Sequence, residues 1–261
     1  MKKQSKMLMA MCLAGAVSVS GCHAVAELAG ANTATLNAAA ATGYNEMLQE
    51  ARNEGKLDTS SRTYQRVQRV FQRMKPYADR MNATGQAFQW QLAVIKSDEL
   101  NAFVAPGGKV VFYSGIVDQL NLTDDEIAAI MGHEMTHALE EHSKSKIGAQ
   151  ALTDLAVSVG ASAAGLGNTG TALADLGSQL GIGLPYSRSL ESRADAGGLR
   201  LMAAAGYNPN AAITLWNKMQ AKAGNGVPTF LSTHPSSQGR ITAMQKLMPE
   251  AVQIYQQSKA K

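Results

Sequence analysis

The residues best equipped for chemistry are the run His133-Glu134-Met135-Thr136-His137. Four residues advance an α-helix by about 400°, so the two imidazoles leave one face a turn apart, close enough to share a zinc ion. Glu134 lies one step round, where its carboxylate reaches a metal-bound water instead of the metal. The bland alternative is two surface histidines on a helix. A catalytic zinc needs a third protein ligand and an open position. His142 follows His137 by five residues without an intervening glycine turn, and on a continuous helix it points away from the pair as a helix-end or packing residue. The run Ser187–Asp195 is richer, because Glu191 and Asp195 stand one helical turn apart. One carboxylate can bind metal while the other accepts an N–H from a ligating imidazole, and the spacing leaves open which does which.

These groups need rigid elements to hold them. Thr123-Asp124-Asp125-Glu126 reads as a capping box, and the helix it starts carries Ile127, Ile130 and Met131 towards a core before reaching His133. Ahead of it, Phe88–Ile95 reads as a strand. Asn101–Ala105 and Lys109–Tyr113 flank Pro106-Gly107-Gly108 as a hairpin. Tyr64, Val67, Phe71 and Met74 recur at helical spacing between Thr59 and Asn82, with the arginines of that stretch as a solvated face. Beyond Ser114 nearly everything reads as helix. The expected class is therefore α+β, mostly helical, with a small β-sheet and an HExxH active-site helix. Residues 147–184 are rich in glycine and small residues, interrupted by Gln150, Asp154 and Asp175, so no membrane span is expected there. Closely packed helices or a flap over the cleft are the two readings.

Taken together, His133-Glu134-x-x-His137 and Glu191-x-x-Ala194-Asp195 resemble metallopeptidase family 48, zinc gluzincins of the HtpX and CAAX prenyl protease type. The resemblance spans roughly residues 88 to 248. It includes Asn101-Ala102-Phe103 with Pro106-Gly107-Gly108, the run Ala204–Pro209, and Thr233-His234-Pro235 with Arg240-Ile241. It implies a zincin-like fold and one zinc ion per chain held by His133, His137 and Glu191. Glu134 is implied as general base and acid, Asp195 as the residue orienting a ligand, and His234 as a cleft residue stabilising the oxyanion. The strand at Asn101, Ala102 and Phe103 is implied as the edge that binds extended substrate. Arg193 departs from the family, which usually has an acidic residue there; the position should face away from the metal.

The 261 residues are 45% hydrophobic and 17% charged with a formal charge of +4, which excludes a disordered chain. Lys2, Lys3 and Lys6 followed by the apolar run Met7–Val17 form an export signal, and Val19-Ser20-Gly21-Cys22 resembles a bacterial lipobox with Cys22 as the lipid attachment point. Removing the three lysines leaves a nearly neutral chain, so the basic balance carries no argument for nucleic acid. The expected division is a lipoprotein signal peptide at 1–21, a flexible tether at 22–43, and a metallopeptidase domain at 44–261. The expected address is the cell envelope, lipid-anchored and periplasm-facing, in the outer membrane. The expected activity is ATP-independent endoproteolysis of unfolded or damaged envelope proteins, since no P-loop is present. The rival is a zinc-dependent chaperone or outer-membrane assembly factor with little proteolysis.

Overall fold

A computed structural model describes residues 21–163, 185–223, 228–235 and 237–260. The export signal lies outside them, and so does most of the candidate flap: of residues 147–184 only the helical part up to 163 is described. Among the described residues no helix is long and apolar enough to cross a membrane.

The chain runs α1 (Thr33–Asn53), β1 (Leu57–Asp58), α2 (Arg62–Met81), β2 (Gln91–Ile95), β3 (Ala102–Ala105), β4 (Lys109–Tyr113), α3 (Ser114–Gln119), α4 (Asp124–Leu139), α5 (His142–Ala163), α6 (Arg188–Ala204), α7 (Ala211–Ala223), α8 (Thr229–Thr233) and α9 (Gln238–Lys259). The sheet has the order β1-β2-β4-β3, with β2 and β4 parallel and the other pairs antiparallel. The β3–β4 hairpin forms as its turn residues require: Gly107 and Gly108 both take positive φ, where other residues are strained.

Both faces of this small sheet are covered. Val94, Val104, Val110 and Phe112 face the main core, built with Val67, Val70, Phe71 and Met74 of α2 and Ile127, Ile130, Met131 and Met135 of α4. Ala93, Ile95, Phe103 and Val111 face the other way, against Tyr44, Met47, Leu48 and Ala51 of α1. The helix that supplies this layer begins at Thr33, inside the stretch expected as a tether. Residues 21–28 are also helical, and within 22–43 the side chains of Ala26, Ala31, Leu36 and Ala40 are buried. The stretch is helical and packed, not a flexible tether: Ala26, Ala31 and Leu36 form a small cluster of their own, with Ile147 packed against it.

The arginines of α2 are likewise more than a solvated face. Arg66 Nε donates to Asp124 Oδ1 at 2.7 Å, and Arg73 stacks over the Tyr207 ring at 4.8 Å. Both tie α2 to the ends of the helices that carry the site.

Candidate metal centre

α4 is the axis of the molecule, and every residue from Glu126 to Leu139 on it is buried. Its start is fixed by the capping box: Thr123 N–H donates to Glu126 Oε2 at 2.8 Å, and Glu126 N–H donates to Thr123 Oγ1 at 3.2 Å. Glu126 also receives Lys218 Nζ at 2.7 Å and Thr214 Oγ1 at 2.9 Å, which binds α7 to the same helix end.

α6 crosses α4 at glycines. A Cβ on Gly132 would lie 2.7 Å from the Gly198 carbonyl oxygen, and one on Gly198 would lie 2.7 Å from the His133 nitrogen. Only without side chains can the two backbones come this close, and the closeness brings Glu191 and Asp195 up to the HExxH face. His234, just after α8, completes the cluster. One donor atom each from His133, His137, Glu191 and His234 falls within 4.8 Å of the others, all four residues buried.

The spacings inside this cluster are those of a coordination shell. Zn–N and Zn–O bonds of about 2.0–2.1 Å in a tetrahedron place neighbouring ligand atoms about 3.3 Å apart. His133 Nε2 lies 3.0 Å from His137 Nε2 and 3.2 Å from His234 Nδ1. Glu191 Oε1 lies 3.5 Å from His137 Nε2 and 3.0 Å from His234 Nδ1. Imidazole nitrogens facing one another at such distances repel unless a proton or a cation stands between them. Glu134 Oε1 and Glu191 Oε2 are buried without a well-formed hydrogen bond, although His234 Nε2 lies 3.3 Å from the first and Arg240 Nη1 2.6 Å from the second. Lone pairs collected this way fit a divalent cation, and the nitrogen and carboxylate donors suit zinc.

The protonation tendencies of the two motif histidines differ. Burial drives His137 well below the usual histidine range, leaving the neutral imidazole a ligand must be. Burial opposes charge on His133 too, but the Asp195 hydrogen bond and the Glu191 charge outweigh it and raise that histidine. Glu191 is held far below the ordinary carboxylate range: burial is outweighed by its hydrogen bonds to His137 and His234. Glu134 goes the other way, raised by burial.

Asp195 stands behind the cluster. Its Oδ1 is 3.1 Å from His133 Nδ1, and Arg240 grips both carboxylate oxygens at 2.7 Å. Arg240 is buried over the Trp216 ring at 4.4 Å and also reaches Glu191. Its clamping role was not read from the sequence, where Arg240-Ile241 counted only as part of the family resemblance. Tyr186 was missed altogether: its ring stacks on His137 with centroids 4.1 Å apart. His142 does not point away. It is fully buried, with Nδ1 2.9 Å from His137 Nδ1.

β3 ends the sheet order, so its outer edge is unpaired by any strand among the described residues. Asn101 O accepts from Tyr113 N–H, so by antiparallel alternation Ala102 and Val104 turn their backbone groups to that edge. Val104 N–H there faces the Glu134 carboxylate and favours its charged form. Asn101 itself is turned inward: Oδ1 accepts from Ala102 N–H at 3.0 Å, and Nδ2 donates to Glu99. Phe103 faces α1.

With this geometry in place, comparison with known proteins is decisive. The profile of peptidase family M48 matches residues 61–248. The chain belongs to this family. The mitochondrial metalloendopeptidase OMA1 of Schizosaccharomyces pombe is 39% identical over 165 residues, 62% of this chain and 48% of that protein. Its Arabidopsis thaliana counterpart is 34% identical over 180 residues, 67% of this chain and 35% of that protein. The beta-barrel assembly-enhancing protease of Escherichia coli is 27% identical over 160 residues, 57% of this chain and 32% of that protein. The chain thus spans about half or less of the length of these relatives. M48 membership accords with the zincin-like α+β class and with zinc as the metal. The periplasm-facing, outer-membrane address is overturned, because the relatives at 34% identity and above are named as mitochondrial. That address rested on the leader and on the lipobox-like Val19-Ser20-Gly21-Cys22, and positive, acid-poor N-termini serve more than one compartment.

Proposed function

We propose that this chain is a zinc metalloendopeptidase that hydrolyses peptide bonds in unfolded or damaged polypeptides without ATP. The observation that carries the reading is the Glu134 carboxylate: it lies 3.3 Å from His234 of the donor cluster on one side and faces Val104 N–H at the edge of β3 on the other. A general base placed between a metal and a substrate strand is the arrangement that peptide hydrolysis requires.

In this reading His133, His137 and Glu191 hold zinc, which when bound supplies Lewis acidity towards a water and the scissile carbonyl. An extended peptide adds to the edge of β3 through the outward carbonyls of Ala102 and Val104, since the Ala102 N–H is taken by Asn101 Oδ1 and the Val104 N–H faces Glu134; such pairing reads main chain more than side chains and suits unfolded substrates. Glu134 takes a proton on its carboxylate and returns it to the leaving amine. His234, whose Nε2 faces Glu134 at 3.3 Å, donates to the developing oxyanion. Asp195 and Arg240 keep the His133 ring turned towards the cluster.

The chaperone or assembly-factor alternative draws on the name of the Escherichia coli relative. Glu134 favours hydrolysis, since binding alone needs no buried base. Zinc content and casein degradation separate the two. The wild type should carry one zinc per chain and cleave reduced casein, while Glu134→Gln should keep zinc and lose at least ~10²-fold in kcat. A wild type that holds zinc and cleaves no unfolded protein would sink the peptidase reading and leave the chaperone.

A further inference from the structure

We propose that His142, backed by Glu140 and Arg193, is a positioning residue that fixes the tautomer and ring orientation of His137. The inference rests on His137 being a metal ligand, as proposed above.

The backbone explains why His142 reaches its partner. α4 stops at Leu139, and Glu141 takes φ 50°, a left-handed conformation that breaks the helix before α5 begins at His142. The broken turn swings the His142 ring back over the end of α4, where a continuous helix would carry it away. There Nδ1 lies 2.9 Å from His137 Nδ1, and Nε2 lies 3.3 Å from Glu140 Oε2. Arg193 Nη2 lies 2.5 Å from that same carboxylate oxygen.

The proton positions follow from what each group can do. An ionised Glu140, paired with Arg193, only accepts, so His142 Nε2 carries a hydrogen. Neutral His142 then presents a bare Nδ1, and His137 must donate to it from its own Nδ1–H. That leaves His137 Nε2 with its lone pair, and Nε2 is the atom 3.0 Å from His133 Nε2 inside the donor cluster. The Tyr186 ring, stacked on His137 at 28°, keeps the imidazole plane from rotating.

Both histidines of the motif are therefore oriented from behind, and each chain of contacts ends on an arginine. His133 runs through Asp195 to Arg240, and His137 runs through His142 and Glu140 to Arg193. Arg193, the position where the sequence departs from its family, thereby acts on His137 through two intermediaries, although its own side chain is 41% exposed.

Competition for zinc with a chromophoric chelator, measured on the full chain, tests this. His142→Phe keeps the volume and removes the acceptor; zinc affinity should fall 10- to 100-fold, with kcat lowered and KM little changed. His142→Asn, whose Oδ1 can stand where Nδ1 stood, should restore most of that loss. Arg193→Ala should weaken zinc several-fold with melting temperature nearly unchanged. If His142→Phe binds zinc as the wild type does, or if His142→Asn is no better than His142→Phe, the positioning role is overturned. Should His142→Phe fail to fold, unchanged zinc affinity in Arg193→Ala overturns the relay by itself. His137→Ala separates the two levels: if it holds zinc as tightly as the wild type, the ligand assignment fails and this inference with it.

Discussion

Glu134 is the residue whose chemistry depends most on its surroundings. Burial raises its carboxyl above the ordinary glutamate range, with His234, His133 and the Val104 N–H acting in the opposite sense. A general base works ionised, so activity is lost as pH falls through this pKa, and a raised pKa moves that loss to higher pH. The acid limb of kcat/KM on an unfolded substrate should therefore lie above the glutamate range; a limb at or below it would count against Glu134 as the buried base. The HExxH run and the acidic pair were legible as residues because each motif is local. What the sequence could not show was the return of His142 onto His137, which depends on a left-handed Glu141, or the Arg240 grip on Asp195 at 2.7 Å, which depends on how α9 packs.

Elements carry the geometry. The capping box at Thr123 and the hairpin at Gly107-Gly108 follow from local rules, and both form where those rules place them. The α4–α6 crossing does not follow from any local rule, yet it decides whether Glu191 meets the two histidines. Gly198→Ala would set a methyl group 2.7 Å from the His133 nitrogen, so the helices must separate. The expected cost is about 1–3 kcal/mol of stability, together with a loss of zinc affinity larger than that of an alanine elsewhere on α6. Denaturant titration beside zinc competition measures both, and a variant that keeps full zinc affinity would show that the close crossing is not what positions Glu191. α1 was illegible for a different reason. Its buried Leu36, Ala40, Tyr44 and Ala51 recur at helical spacing, but they lie among alanines and uncharged residues whose composition resembles a linker as much as a packed helix.

At the scale of the whole molecule, one main core joins α2, the sheet, α4, α6, α7 and α9, and the ligand cluster sits inside it. With the proposed ligands on α4 and α6, the metal would be a cross-link between distant parts of the chain. Removing it should loosen all of them together. At a thousandfold excess over its dissociation constant, a metal that binds only the folded state stabilises by about 4 kcal/mol, on the order of 10 °C in Tm for a chain of this size. Chelation should lower the wild-type Tm by that order and leave His137→Ala unchanged; equal shifts in both proteins would place the effect elsewhere. The most direct test of the central claim is anomalous diffraction at the zinc edge from crystals of the metal-loaded protein. The account predicts one zinc peak, within about 2.0–2.2 Å of His133 Nε2, His137 Nε2 and a Glu191 oxygen. No peak there, or a zinc bound by other residues, would contradict it.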